Sequence, residues 1–166
     1  MQAALVDRPL AHFVGLKLVA GYEELEQLVP QARKALLARQ YEISGIVDPD
    51  TQYGVTLPQD RESAEDQVTT YFGFEVATYK EVPQDLVAID LLAGKYAQFS
   101  WTGSFVSEEF DAFYPSIFNW FKEHNYVPSM DRAWIEQYGR DNDWNNRENP
   151  RNQLTVLMPL GGLAAH

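Results

Sequence analysis

Residues 23–75 of this 166-residue chain return, without a gap, 85 positions later as residues 108–160. Glu23-Glu24 falls on Glu108-Glu109, Pro30 on Pro115, Tyr41 on Tyr126, Ser44 on Ser129, and Thr70 on Thr155. Gln52-Tyr53-Gly54 falls on Gln137-Tyr138-Gly139, and apolar positions follow the same register: Leu25 with Phe110, Leu28 with Phe113, Leu36 with Phe121. A shift held across several elements points to a duplicated module. Such a chain folds as two like halves related by a pseudo-twofold axis. The expected domain spans 1–166, with module 1 at about 11–81 and module 2 at about 86–160.

Each module carries the same element pattern. Residues 11–20 (AHFVGLKLVA) are rich in β-formers and predict a strand. After Gly21, apolar Leu25, Leu28, Val29, Ala32 and Leu36 recur at the three-and-four spacing of one helix face, and Pro30 kinks that helix or begins its main segment. Short strands are expected at 53–57 and 69–78, with a charged loop at 61–67 between them. In module 2, strands are expected at 86–92, 94–101, 132–138 and 153–160. Ser107 is positioned to cap a helix running to residue 123, and a polar loop at 139–152 holds Trp144. The tail from residue 161 looks frayed. The fold class is therefore α+β, built from duplicated strand–helix–strand–strand (βαββ) units. One sheet face of each unit is expected to cover its helix, and the other faces are expected to meet in a ligand cleft.

Composition narrows the function. The chain has 13 basic and 24 acidic side chains, a net charge of −11, so it repels phosphate backbones and direct nucleic-acid binding is not expected. With no cysteine, thiolate zinc sites and disulfides are excluded. No uninterrupted apolar segment reads as a signal peptide or membrane span, and the expected location is the cytoplasm. His12, His124 and His166 lie far apart and suggest no metal site. Nucleophile-elbow, dinucleotide and P-loop motifs are absent, and no cofactor is expected. The acidity is paired with 9 Phe, 9 Tyr and 4 Trp, a composition suited to attracting cations and offering them flat apolar surfaces.

The most informative stretch is residues 132–138, RAWIEQY. Residues two apart in a strand share a face, so Trp134, Glu136 and Tyr138 lie together, opposite Ala133 and Ile135. A carboxylate between two aromatics is poor core material. Glu136 is either solvated on an exposed sheet face or the anionic floor of an aromatic pocket for an organic cation. The same alternation turns Phe72, Phe74 and Val76 toward the first helix and Tyr71, Gly73 and Glu75 toward the cleft. Tyr53 and Trp101 are further candidates for the cleft wall, although helix packing explains Trp101 equally well. Phe113, Tyr114, Ile117 and Phe121 read as core at helical spacing. Gly73 signals close backbone approach, and Trp144 is either a lid or an anchor for its own loop.

These motifs resemble the GyrI-like effector-binding domains. The resemblance is carried by Gly94-Lys95-Tyr96-Ala97-Gln98-Phe99 with Gly103 following, Ile117-Phe118-Asn119-Trp120 leading to Asn125-Tyr126, Ile135-Glu136-Gln137-Tyr138, and the closing Met158-Pro159. Gly15-Leu16, Pro30, Tyr53-Gly54 and Phe74-Glu75-Val76 fit in the first half. The resemblance implies a duplicated βαββ unit with a cleft that takes small molecules, often lipophilic cations, and it gives Glu136 the position of the family's cleft acid. Many members are sensor domains of AraC-type or MerR-type multidrug-responsive transcription regulators. Because no helix-turn-helix pattern precedes residue 11, the expectation here is a stand-alone sensor or scavenger of amphipathic cations. Its expected ligand contacts are Glu136, Trp134, Tyr138, Tyr71, Tyr53, Trp101 and Glu75. The alternatives are a hydrolase of cyclopropane-bearing electrophiles using Glu136 and Tyr71, and a protein acting on gyrase or on a separate transcription regulator.

Overall fold

The computed structural model describes residues 3–60 and 66–164. The core of the expected 61–67 loop, residues 61–65, and the last two residues of the tail lie outside that range. The described elements are β1 (Ala3–Arg8), β2 (Ala11–Ala20), α1 (Tyr22–Ala38), β3 (Gln52–Thr56), β4 (Val68–Val76), β5 (Val87–Leu91), β6 (Gly94–Thr102), α2 (Glu108–Asp111), α3 (Phe113–Glu123), β7 (Tyr126–Pro128), β8 (Trp134–Tyr138) and β9 (Gln153–Leu163). The sheet runs β1-β6-β9-β8-β3-β4-β2-β5, all neighbours antiparallel, with short β7 paired to the end of β9. The chain is α+β, and its strand order reads symmetrically outward from the β3–β8 seam.

The edge strands exchange halves. β1 precedes the first helix in sequence but pairs with β6, while β5 pairs with β2. Each half is thus closed by a strand from the other. The seam is set by Gly54 facing Glu136.

Pro30 sits inside α1 without ending it, and α1 buries Ala32 and Leu36 against β2 and β4. The helix expected to run to residue 123 is divided at Ala112. Ser107 caps α2 by accepting the Phe110 N–H, and α3 then starts two residues before Pro115. Pro115 has no N–H for the Asp111 carbonyl one turn earlier, so no backbone hydrogen bond joins those two residues across the break. α3 buries Phe113, Ile117 and Phe121 against β6 and β9.

The relation between helices, sheet and cleft differs from the sequence expectation. The two halves join edge to edge through β3 and β8, so no sheet faces meet. α1 and the α2–α3 segment lie on one face, and the cleft opens between them. Trp134, Glu136 and Tyr138 point toward the helices, whereas Ala133 and Ile135 enter an apolar cluster on the opposite face with Phe13, Tyr53, Val55, Tyr71 and Tyr96. That second face stays dry because Val6 of β1 and Val87 and Ile89 of β5 pack over it.

At the β2–β4 crossing Gly15 faces Gly73, and a Cβ on Gly73 would stand 2.1 Å from the Val14 carbonyl oxygen. No other residue fits that approach. The C-terminal strand continues through Gly161 and Gly162 to Leu163, further than the frayed tail expected from composition, because β7 pairs with it.

Candidate functional site

Over the seam, the two helices stand far enough apart to leave a cleft of about 700 Å³. Its floor is β3, β4 and β8, its walls are α1 and the α2–α3 segment, and the 139–152 loop closes one end. The period-2 pattern of β8 places Glu136 at the centre of the floor, flanked by Trp134 and Tyr138. Gly54, directly across the seam, brings no side chain of its own over the carboxylate.

Glu136 is half-buried and held by two neutral donors. The Tyr114 hydroxyl donates to Oε1 at 2.5 Å, and the Tyr138 hydroxyl donates to Oε2 at 2.7 Å. Both phenol pKa values are pushed well above the usual tyrosine range, first by burial of the hydroxyls and then by the negative charge of Glu136. Among the described residues no ion pair involves Glu136. Its carboxylate is thus held in place by neutral hydroxyls rather than by a basic side chain.

The walls are aromatic and apolar. Phe110, Tyr114 and Phe118 form a stripe on the α2–α3 side, Phe72 rises from β4, and α1 supplies Leu25 and Val29. Trp144 closes the loop end, 5.8 Å centroid to centroid from Phe72 and 5.2 Å from Tyr138, with the Arg33 guanidinium 5.0 Å from its ring. Arg147 anchors the same loop to α1 through a 2.6 Å ion pair with Glu26. Two lining polar atoms, Asp60 Oδ2 and Asn142 Nδ2, have no hydrogen-bond partner among the described residues.

The sequence-derived candidates separate into two groups. Glu136, Trp134 and Tyr138 share the cleft. Tyr53, Tyr71 and Glu75 lie on the other side of the sheet, where the Tyr53 hydroxyl reaches Glu75 Oε2 at 3.4 Å and Tyr71 is buried in the apolar cluster. The sheet therefore separates Glu136 from Tyr71, and a catalytic pair of the two is not assembled. Trp101 faces the helices but packs on Phe110 and Phe113 beside a second groove next to β1.

Tyr114, Phe72, Gly54 and Phe118 line the cleft without having been singled out as ligand contacts. For Tyr114 a signal existed. Phe110, Tyr114 and Phe118 recur every four residues beside the buried Phe113–Ile117–Phe121 stripe, and a hydroxyl within an apolar stripe calls for a partner.

Residues 1–156 match the family model of the GyrI-like small molecule binding domain. The chain belongs to that family. The transcriptional regulator BrlR of Pseudomonas aeruginosa is 25% identical over 162 residues, covering 96% of this chain and 56% of BrlR, so the chain spans about half of that relative. Among solved structures, the EcmrR C-terminal domain superposes with a TM-score of 0.73 at 15% identity, covering 98% of both chains. SAV2435 bound to tetraphenylphosphonium superposes with a TM-score of 0.65 at 14% identity, covering 98% of this chain and 95% of SAV2435. These likenesses establish a shared GyrI-like fold.

Among the described residues no helix is long and apolar enough to cross a membrane, and no cluster of three or more His, Asp or Glu has metal-holding geometry.

Proposed function

We propose that this GyrI-like domain captures amphipathic organic cations in the cleft over Glu136, as a sensor or scavenger of drug-like molecules. One observation carries the reading: a carboxylate fixed by two tyrosine hydroxyls on the floor of an aromatic cleft, with no cationic side chain among the described residues paired to it. Such a site supplies the ligand's counter-charge while the rings supply apolar area and cation–π contact. The neutral donors hold the carboxylate without cancelling its charge. The acidic surface adds long-range attraction. The tetraphenylphosphonium held by SAV2435, a protein of the same fold, is a ligand of this chemical kind. As a sensor the domain would signal to a transcription regulator, in the same chain or a separate one.

The test uses tetraphenylphosphonium and tetraphenylborate, which share a shape and carry opposite charge. A ligand that binds only the native state raises its melting temperature. The phosphonium is expected to raise it in a concentration-dependent way and the borate to leave it unchanged. Equal stabilisation by the two ions would overturn the reading.

A further inference from the structure

Asp60 closes the single 3₁₀ turn Pro58–Asp60 after β3 and lines the same cleft as Glu136. The other carboxylates lining the cleft are already engaged. Glu26 pairs with Arg147, Asp143 accepts from the Asn145 backbone and the Asn149 amide, and each Glu136 oxygen accepts from a tyrosine. Asp60 Oδ2 is enclosed and accepts from no described residue. Thr70, which lines the same cleft, has its hydroxyl committed to the Val55 carbonyl. An enclosed carboxylate oxygen without a donor is costly in the folded chain, and a ligand in the cleft that Asp60 lines can supply one.

We infer that Asp60 is a second anchor, and that the preferred ligands are lipophilic cations bearing a further ammonium group that donates to Asp60 Oδ2. The lipophilic cationic body lies over Glu136 among the aromatic walls, and the ammonium arm runs along the floor past Gly54 and Thr56. This inference rests on the reading of the cleft as a cation site. It adds a selectivity that a single floor carboxylate does not provide, because one charge cannot distinguish a monocation from a dication by position.

Binding of aminohexyl-triphenylphosphonium and of hexyl-triphenylphosphonium by calorimetry tests it directly. The wild-type chain should bind the amine-bearing ion roughly tenfold tighter or more, the scale of a charge-assisted hydrogen bond. Asp60→Asn should remove this preference, bringing the affinities of the two ions within about twofold of each other. Asp60→Ser repeats the test if the first variant does not fold, and the wild-type comparison needs no variant. Equal wild-type affinities, or a preference that survives loss of the carboxylate, would overturn the Asp60 anchor alone. Failure of either phosphonium to bind the wild-type chain would overturn the cation reading and this inference together.

Discussion

Replacing Glu136 with Gln keeps the shape of the cleft floor and removes one negative charge from it. The fold should survive. The amide oxygen can accept from one of Tyr114 and Tyr138, and the other hydroxyl can rotate to accept from the amide nitrogen. The loss then falls on the ligand. For a phosphonium centre about 5 Å from the carboxylate, in a cleft open enough for an effective dielectric of about 20 to 40, the lost attraction is about 2 to 3 kcal/mol. That corresponds to a roughly 30- to 150-fold weaker dissociation constant. Tetraphenylphosphonium quenching of tryptophan fluorescence, with Trp134 and Trp144 lining the cleft, reads the affinity directly. The measurement belongs at fixed ionic strength, because the acidic surface contributes a screened background that the substitution leaves in place. A variant with an unchanged urea midpoint and an affinity within threefold of wild type would refute the counter-charge argument.

The remaining predictions concern the site's surroundings. Tyr71→Phe and Glu75→Gln should leave tetraphenylphosphonium affinity within about twofold of wild type, because both residues lie across the sheet from the cleft; a loss comparable to that of Glu136→Gln would contradict the assignment of faces. Tyr114 and Tyr138 ionise with more difficulty folded than unfolded, so their contribution to stability is complete below the unfolded tyrosine pKa of about 10 and is lost above it, by about 1.4 kcal/mol per pH unit for each group. Urea midpoints between about pH 9 and 11 should fall with that sign, and Tyr114→Phe should flatten the slope. Gly73→Ala places a Cβ 2.1 Å from the Val14 carbonyl oxygen, so a stability loss above about 3 kcal/mol is expected in thermal or urea unfolding.

Much of this protein was legible in the residues themselves because the deciding physics is local. Strand β2, the apolar face of α1, the Ser107 cap and the alternation that puts Trp134, Glu136 and Tyr138 on one face follow from periodicity and capping chemistry over a few residues. So does the close approach marked by Gly73. The 85-residue shift also announced two related halves.

The same shift misled at the seam. It aligns Tyr53 with Tyr138, yet Tyr138 lines the cleft and Tyr53 lies on the far side, since an odd displacement between paired strands reverses every side chain. Which face of the sheet becomes the site was decided by tertiary structure alone. The β3–β8 pairing merges the halves into one sheet, and the exchanged strands β1 and β5 cover the face that would otherwise be free. Those are contacts between residues far apart in the chain, and period-2 alternation names two faces without saying which one is buried. The sequence by itself determined that Glu136 stands between two aromatics on one strand. Only the folded chain brought Tyr114 from α3 to its carboxylate and left one oxygen of the cleft-lining Asp60 enclosed.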